Sequence, residues 1–288
     1  MCGTGQRRLA DHAARRAERG PSWRVAARLA LVVVFLAPVA FMVIGSLRSP
    51  GGAPPRGLEL LPRGAGLTAY ERLSAALPLG TLLRNSLLVT FVAVPVTVLI
   101  ASWAGFATAQ LAPRPRRVML TFLVVLLLLP VPVVWVPRFA AYVRLGVLDT
   151  YVPLLAPALA ATTPFTVLLA YRAFRRVPEE LFQAARLEGA GAFTTWWRVG
   201  LPLARSTTTA IAALAFAFHW GNYLDALLYV QTPQHRTLPL GVGELAGLDA
   251  ADFPILLAGA VVLTLPPLLA LALVQRRLLG AVDIAGDR

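Results

Sequence analysis

Six apolar runs, at 29–46, 87–109, 118–137, 152–171, 207–230 and 253–274, dominate the pattern of this chain. Each comes close to the ~20 residues a helix needs to cross a bilayer core, or exceeds it. Most contain proline, among them Pro38, Pro95, Pro130, Pro132, Pro157, Pro164, Pro266 and Pro267. In a soluble helix such prolines kink or break the element. Membrane spans tolerate them where neighbours satisfy the freed carbonyls. The pattern predicts an all-α fold, a polytopic membrane helix bundle with six transmembrane helices. Only one connection between the runs, 178–203, carries an ordered pattern of its own.

That connection reads as an amphipathic helix, a glycine break and a second short helix. Pro178 suits the first turn of a helix, where its missing N–H costs nothing. Glu179 and Glu180 then fall near the positive helix end, which favours carboxylates. Helical spacing places Leu181, Ala184, Ala185 and Glu188 on one face, with two alanines small enough for another surface to approach. Gly189-Ala190-Gly191 permits a sharp turn. Phe193, Trp196 and Trp197 follow as an aromatic cluster, and Leu201-Pro202-Leu203 leads into the fifth run. From pattern alone two readings stand: a helix resting on the membrane surface, and a docking element for a soluble partner.

Composition supports the membrane reading. Of 288 residues, 57% are hydrophobic, against roughly 45–50% in soluble domains. The mean hydropathy is +0.68. All 27 basic residues are arginine, and the net charge is +13. The arginines flank the apolar runs instead of interleaving with aromatics, which favours membrane-surface anchoring over nucleic acid.

Their distribution sets an expected orientation, because cytoplasmic loops are rich in basic residues. One side holds 7 arginines in 1–28, 3 in 111–117, 6 in 172–205 and 3 in 275–288. The other holds 5 in 48–86, 2 in 138–151 and 1 in 231–252. Both termini are therefore expected in the cytoplasm of a multi-pass cell-membrane protein. The expected organisation is a basic tail at 1–28, a transmembrane domain at 29–274 with the cytoplasmic loop 172–205, and a C-terminal tail at 275–288. The first run reads as an uncleaved span, since it follows seven arginines and precedes five more apolar runs.

Candidate chemistry is sparse. Cys2 is the only cysteine, and His12, His219 and His235 have no partners at metal-ligand spacing. A chain without lysine has no P-loop, and no catalytic constellation is visible. The chain is expected not to be an enzyme and to carry no cofactor. Asp225 is the only acidic residue inside a run, with Asn222 three positions earlier on the same helical face. An intramembrane carboxylate faces a cavity or a partner. Trp220, Asn222 and Asp225 are the candidate pathway-lining residues, with Trp220 and Tyr223 offering flat aromatic faces beside them. A purely structural role, such as a polar contact with a second subunit, stands beside that reading.

The 178–203 segment resembles the EAA loop of binding-protein-dependent ABC importer permeases, in the form Gln183-Ala184-Ala185-Arg186-Leu187-Glu188-Gly189-Ala190 followed by Leu201-Pro202-Leu203. Gln183 replaces the usual glutamate, Glu188 stands where aspartate is commoner, and Ser206 occupies the place of a second proline. Further tags occur in the family's order: Phe41 to Arg48, Leu67 to Tyr70, Asn85-Ser86, Leu129-Pro130, Val136-Pro137, Leu145 to Tyr151, His219 to Asp225, and Thr237 to Gly241. Together they resemble the six-span, maltose-transporter-type subunit. The resemblance implies a permease that imports a sugar by alternating access, powered by ATP hydrolysis on a separate subunit. It implies that Gln183, Ala184, Ala185, Glu188, Gly189 and Ala190 form the coupling helix and its turn against that ATPase. The implied partners are cytoplasmic ATP-binding subunits, a second permease subunit in a heterodimer and an extracytoplasmic solute-binding protein. An importer of another polar solute and a non-transporting membrane scaffold that binds a soluble partner remain the alternatives.

Overall fold

The computed structural model describes residues 22–51, 65–247 and 252–286, and every described element is helical or a turn. Those residues fall in two compact units, one within Met1–Arg72 and Asp249–Val261, the other within Leu73–Leu248 and Val262–Arg288. The sequence-predicted basic tail lies mostly outside the described residues, although helix α1 (Ser22–Ser46) already starts before residue 29. After α1 come α2 (Thr68–Ala76) and α3 (Leu79–Gln110). Then follow α4 (Pro113–Leu128), α5 (Val131–Arg144), α6 (Val152–Leu159) and α7 (Pro164–Arg176). Helix α8 (Glu179–Leu187) leads to α9 (Ala192–Leu203), which holds a π turn at Trp196–Gly200. The chain closes with α10 (Arg205–Trp220), α11 (Tyr223–Tyr229), α12 (Leu238–Glu244) and α13 (Phe253–Gly286).

Among the described residues, four helical segments are long and apolar enough to cross a membrane: Val25–Ser46, Leu79–Gln110, Val152–Arg176 and Phe253–Ala272. The expected count of six is reached only if two bent helix pairs each serve as one span. The third predicted span, 118–137, is in fact broken: α4 and α5 meet at 91°. Leu129 and Pro130 are both extended, with ψ of 125° and 128°, and for Leu129 the cause is the proline that follows it, which drives the preceding residue out of the helical region. The fifth predicted span, 207–230, is also broken. Helix α10 stops at Trp220, Gly221 leaves the helix, and Asn222 caps a separate α11. On its other side α10 meets α9 at 87°. The sixth predicted run does not stop at 274, since α13 continues to Gly286.

Inside the larger unit, α3 packs against α6, α7, α10 and α12. Its buried face carries small residues at i, i+4 spacing, Ala93, Thr97, Ala101, Gly105 and Ala109. In lipid no hydrophobic drive sorts one apolar helix against another, so small residues that let backbones approach set the packing. A Cβ built on Gly105 would fall 2.5 Å from Ala170 Cβ and 2.7 Å from the Tyr171 nitrogen. Only glycine fits that crossing of α3 and α7.

Candidate functional site

The ordered connection forms a seated helix. Pro178 sits just before α8 instead of in its first turn, with ψ 132°, and Glu179 and Glu180 open the helix. Phe182 is 3% and Ala185 9% exposed, whereas Leu181 is 44% and Leu187 89% exposed. The face predicted from spacing is therefore split. Ala185 turns inward beside Phe182, while Leu181, Ala184 and Glu188 point outward with Gln183 and Leu187. The cause is Phe182, whose ring meets Phe106 edge-on at 5.7 Å; burying it rotates Ala185, one turn on, toward the core. Gln183 Nε2 donates to Glu179 Oε1 at 3.4 Å, an exposed contact within the helix.

The end of α8 is a Schellman motif. The Ala190 N–H donates to Ala185 O at 2.9 Å and the Gly189 N–H to Arg186 O at 3.0 Å, with Gly189 at φ +83°. Gly189 supplies the left-handed residue that closes this motif without a Cβ penalty. The aromatic cluster beyond it is a clamp. Trp196, 3% exposed, meets Trp103 edge-on at 5.1 Å, and Phe106 meets Phe174 at 5.5 Å. Arg186 donates from its guanidinium to Gln110 Oε1 at the end of α3. Helix α8 is thus fastened to α3 and α7 through Phe182, Phe106 and Phe174, and among the described residues its outer face is uncovered.

A second polar centre surrounds Asp225, which is 4% exposed. Asn222 caps α11 reciprocally: its Oδ1 accepts the Asp225 N–H at 3.2 Å and its Nδ2 donates to Asp225 Oδ2 at 3.0 Å. The two residues predicted together do meet, though Asn222 stands before the helix and not within it. The partner that spacing did not identify is Arg138. Its Nη1 and Nη2 each lie 3.5 Å from an Asp225 carboxylate oxygen, and Nη2 also donates to Pro153 O at 3.4 Å. Its Nε donates to Tyr142 Oη at 3.2 Å, and the guanidinium lies 5.2 Å from the Tyr229 ring centre. This network joins α5, α6 and α11. A lone carboxylate in an apolar run requires an opposite charge, and Arg138 directly follows the third predicted span. That juxtaposition was the available signal.

Trp220 is placed elsewhere. Its indole is 2% exposed, donates Nε1–H to Leu263 O at 2.8 Å and stacks on Phe216 at 5.8 Å. Burial leaves it no open face for a sugar ring. Beside it, His219 Nε2 lies 3.0 Å from Thr162 Oγ1, which lies 2.6 Å from Thr97 Oγ1.

The short sequence tags also converge. Asn85 Nδ2 donates to Gln234 O at 2.7 Å and to Arg236 O at 2.8 Å, while Tyr151 Oη donates to Asn85 Oδ1 at 2.7 Å. Ser86 Oγ accepts the Leu238 N–H at 2.7 Å. Asp149, at φ 59°, accepts N–H donors from Gln231 at 2.8 Å and Thr232 at 2.9 Å through Oδ1. Those bonds, the Thr232 N–H first, hold the Asp149 carboxyl below its ordinary value. Among the described residues no cluster of three or more His, Cys, Asp or Glu side chains is arranged to hold a metal ion.

Comparison with known proteins places this geometry in a context. Residues 97–281 match the family model described as binding-protein-dependent transport system inner membrane component. The chain is 26% identical over 267 residues to the sulfoquinovosyl glycerol transport system permease protein SmoH of Agrobacterium fabrum, covering 93% of this chain and 94% of that protein. It is also 26% identical over 261 residues to the arabinooligosaccharides transport system permease protein AraQ of Halalkalibacterium halodurans, covering 90% and 92%. Its fold matches a crystal structure of a bacterial ABC transporter involved in the import of the acidic polysaccharide alginate. That match has a TM-score of 0.70 at 20% identity and covers 89% of this chain and 98% of the other.

Proposed function

The chain belongs to the family of binding-protein-dependent transport system inner membrane components, and from that premise we propose that it is the multi-pass permease subunit of an ABC importer for carbohydrate. The sugar class follows from the relatives, whose names specify a sulfoquinovosyl glycerol and arabinooligosaccharides. The subunit is not itself an enzyme. With no lysine in the sequence there is no P-loop, so the ATPase belongs to a separate partner. A solute-binding protein delivers substrate, a reading supported by the family description of its transport systems as binding-protein-dependent. A second permease subunit, different from this one, completes the pathway.

In this reading α8 is the coupling helix. The observation that carries it is a nine-residue helix whose inner side, Phe182 and Ala185, is clamped to the bundle while Leu181, Ala184 and Leu187 stand uncovered. An exposed apolar face on a rigidly held element suits a groove in a partner protein. Gln183, Ala184 and Glu188 make the contact, Ala185 and Ala190 shape the helix and its exit, and Gly189 turns the chain. The arginine distribution supports a cytoplasmic position for 172–205 and for both termini. The tail at 1–28, the transmembrane domain at 29–274 and the segment 275–288 keep their proposed sides. Asp225 and Asn222 serve chiefly to pin α11 against α5 through Arg138, and Trp220 serves packing.

The test is ATP-driven uptake of labelled oligosaccharides by the reconstituted assembly. Gly189→Asn, which the left-handed position accepts, should keep most uptake. Gly189→Val strains the turn and should lower uptake at least tenfold with membrane insertion unchanged. Equal uptake by both variants rules out α8 as the coupling element.

A further inference from the structure

One groove has no part in coupling or in the Asp225 network. It is a shallow, open recess on one face of α4, lined by residues of that helix alone, with Arg116 and Arg117 at one end and Leu120, Val124 and Val125 toward the other. We propose that this groove is a binding site for an anionic phospholipid, with the headgroup phosphate on Arg116 and Arg117 and an acyl chain along Leu120 to Val125. The proposal goes beyond the transport reading and does not depend on it.

Three observations support it. First, the basic end has unused donors. Among the described residues, neither Arg116 nor Arg117 has an ion pair or side-chain hydrogen bond, nor does neighbouring Arg114. Helix α4 also contains no acidic residue. Guanidinium groups present a planar fork of donors that matches phosphate oxygens. Second, the other end is apolar and uncovered, with Val124 46% and Val125 51% exposed. Third, the lengths agree. From Arg116 to Val124 the helix rises about 12 Å, within the ~15 Å of one leaflet's hydrocarbon. A soluble phosphate would satisfy only the guanidinium end. A phospholipid satisfies both.

The test uses the full-length chain, delipidated and offered phosphatidylglycerol or phosphatidylcholine in mixed micelles, with bound lipid counted by native mass spectrometry. The expected result is retention of phosphatidylglycerol over phosphatidylcholine. In the double variant Arg116→Gln/Arg117→Gln, phosphatidylglycerol affinity should fall by roughly fivefold for each arginine lost, with phosphatidylcholine binding unchanged. Val124→Ser should weaken phosphatidylglycerol binding without altering that headgroup preference. Because Arg116 and Arg117 have no ion pair or side-chain hydrogen bond among the described residues, the double variant should keep its circular dichroism and elution volume. Arg175→Gln/Arg176→Gln, at the exposed end of α7, serves as the charge-matched control. The proposal is overturned by undiminished phosphatidylglycerol binding in the groove variant or by an equal loss in the control. It is also overturned if millimolar inorganic phosphate displaces the lipid, which would make the site one for free anions.

Discussion

Replacing Arg138 by methionine tests the Asp225 centre most directly. The substitution keeps an unbranched apolar stem and removes the guanidinium, leaving the Asp225 carboxylate, 4% exposed, with Asn222 as its remaining partner. The lost attraction acts across 3.5 Å between side chains that are 24% and 6% exposed. For charges about 4 Å apart at an effective dielectric of 20 the Coulomb energy is about 4 kcal/mol. Breaking a buried pair from one side costs roughly 3–5 kcal/mol, because an uncompensated charge is left behind. The lost contact with the Tyr229 ring adds about 1 kcal/mol. Arg138→Met should therefore destabilise the chain by about 5 kcal/mol, and Asp225→Asn by about 2–3 kcal/mol through the orphaned guanidinium. The double variant should recover much of the loss, giving a coupling energy of about 2 kcal/mol or more. The assay is a double-mutant cycle on SDS-induced unfolding of the purified chain. Single variants within 0.5 kcal/mol of wild type, or additive effects, would refute the ion pair as the element joining α5 to α11.

Three other outcomes are expected. Gly105→Leu should open the crossing of α3 and α7, where even a Cβ meets Ala170 at 2.5 Å; overpacking of this kind costs about 1–3 kcal/mol or more and should lower the unfolding midpoint. Asn85→Ala removes two hydrogen bonds to the 231–238 loop and one from Tyr151, so hydrogen exchange at 234–238 should accelerate by at least tenfold, at about 1 kcal/mol per bond. Asp149 is held below the ordinary carboxylate value by the Thr232 and Gln231 N–H groups. A depressed folded pKa means that its stabilisation is present above the unfolded value and is lost as pH falls through the folded one. Protection of the Gln231 and Thr232 amides should therefore drop on acidification, and Asp149→Asn should abolish that pH dependence.

Some features were legible without coordinates because they are local. The glycine break after Leu187 was readable because a helix C-terminus favours a left-handed residue, and Gly189 adopts φ +83°. The Asn222–Asp225 pairing was readable from a three-residue spacing. The inward turn of Ala185 was not, since spacing alone cannot say whether Phe182 or Leu181 finds a ring to pack on, and Phe106 lies on α3, far away in sequence. Arg138 was assigned to a loop because apolar length was counted through Pro137, whereas α5 runs on to Arg144.

The sequence by itself determined that this is an arginine-rich, all-helical membrane chain, with one patterned connection and no ATP site of its own. These features follow from hydropathy, charge and residue type, which are properties of single segments. Only the tertiary structure decided which runs are continuous. An apolar run looks the same whether it faces lipid or protein, so the break at Leu129-Pro130 left little trace in hydropathy, and the polar stretch at 219–225 did not by itself say that the helix ends at Trp220. Tertiary structure also decided that Asp225 is neutralised within the chain by Arg138. Likewise, it brought Asn85, Tyr151 and the 231–238 loop, short tags in separate parts of the sequence, into one hydrogen-bonded lock. Such contacts depend on where whole helices cross, and here that is set by residues as small as Gly105, whose influence comes from the side chain it lacks.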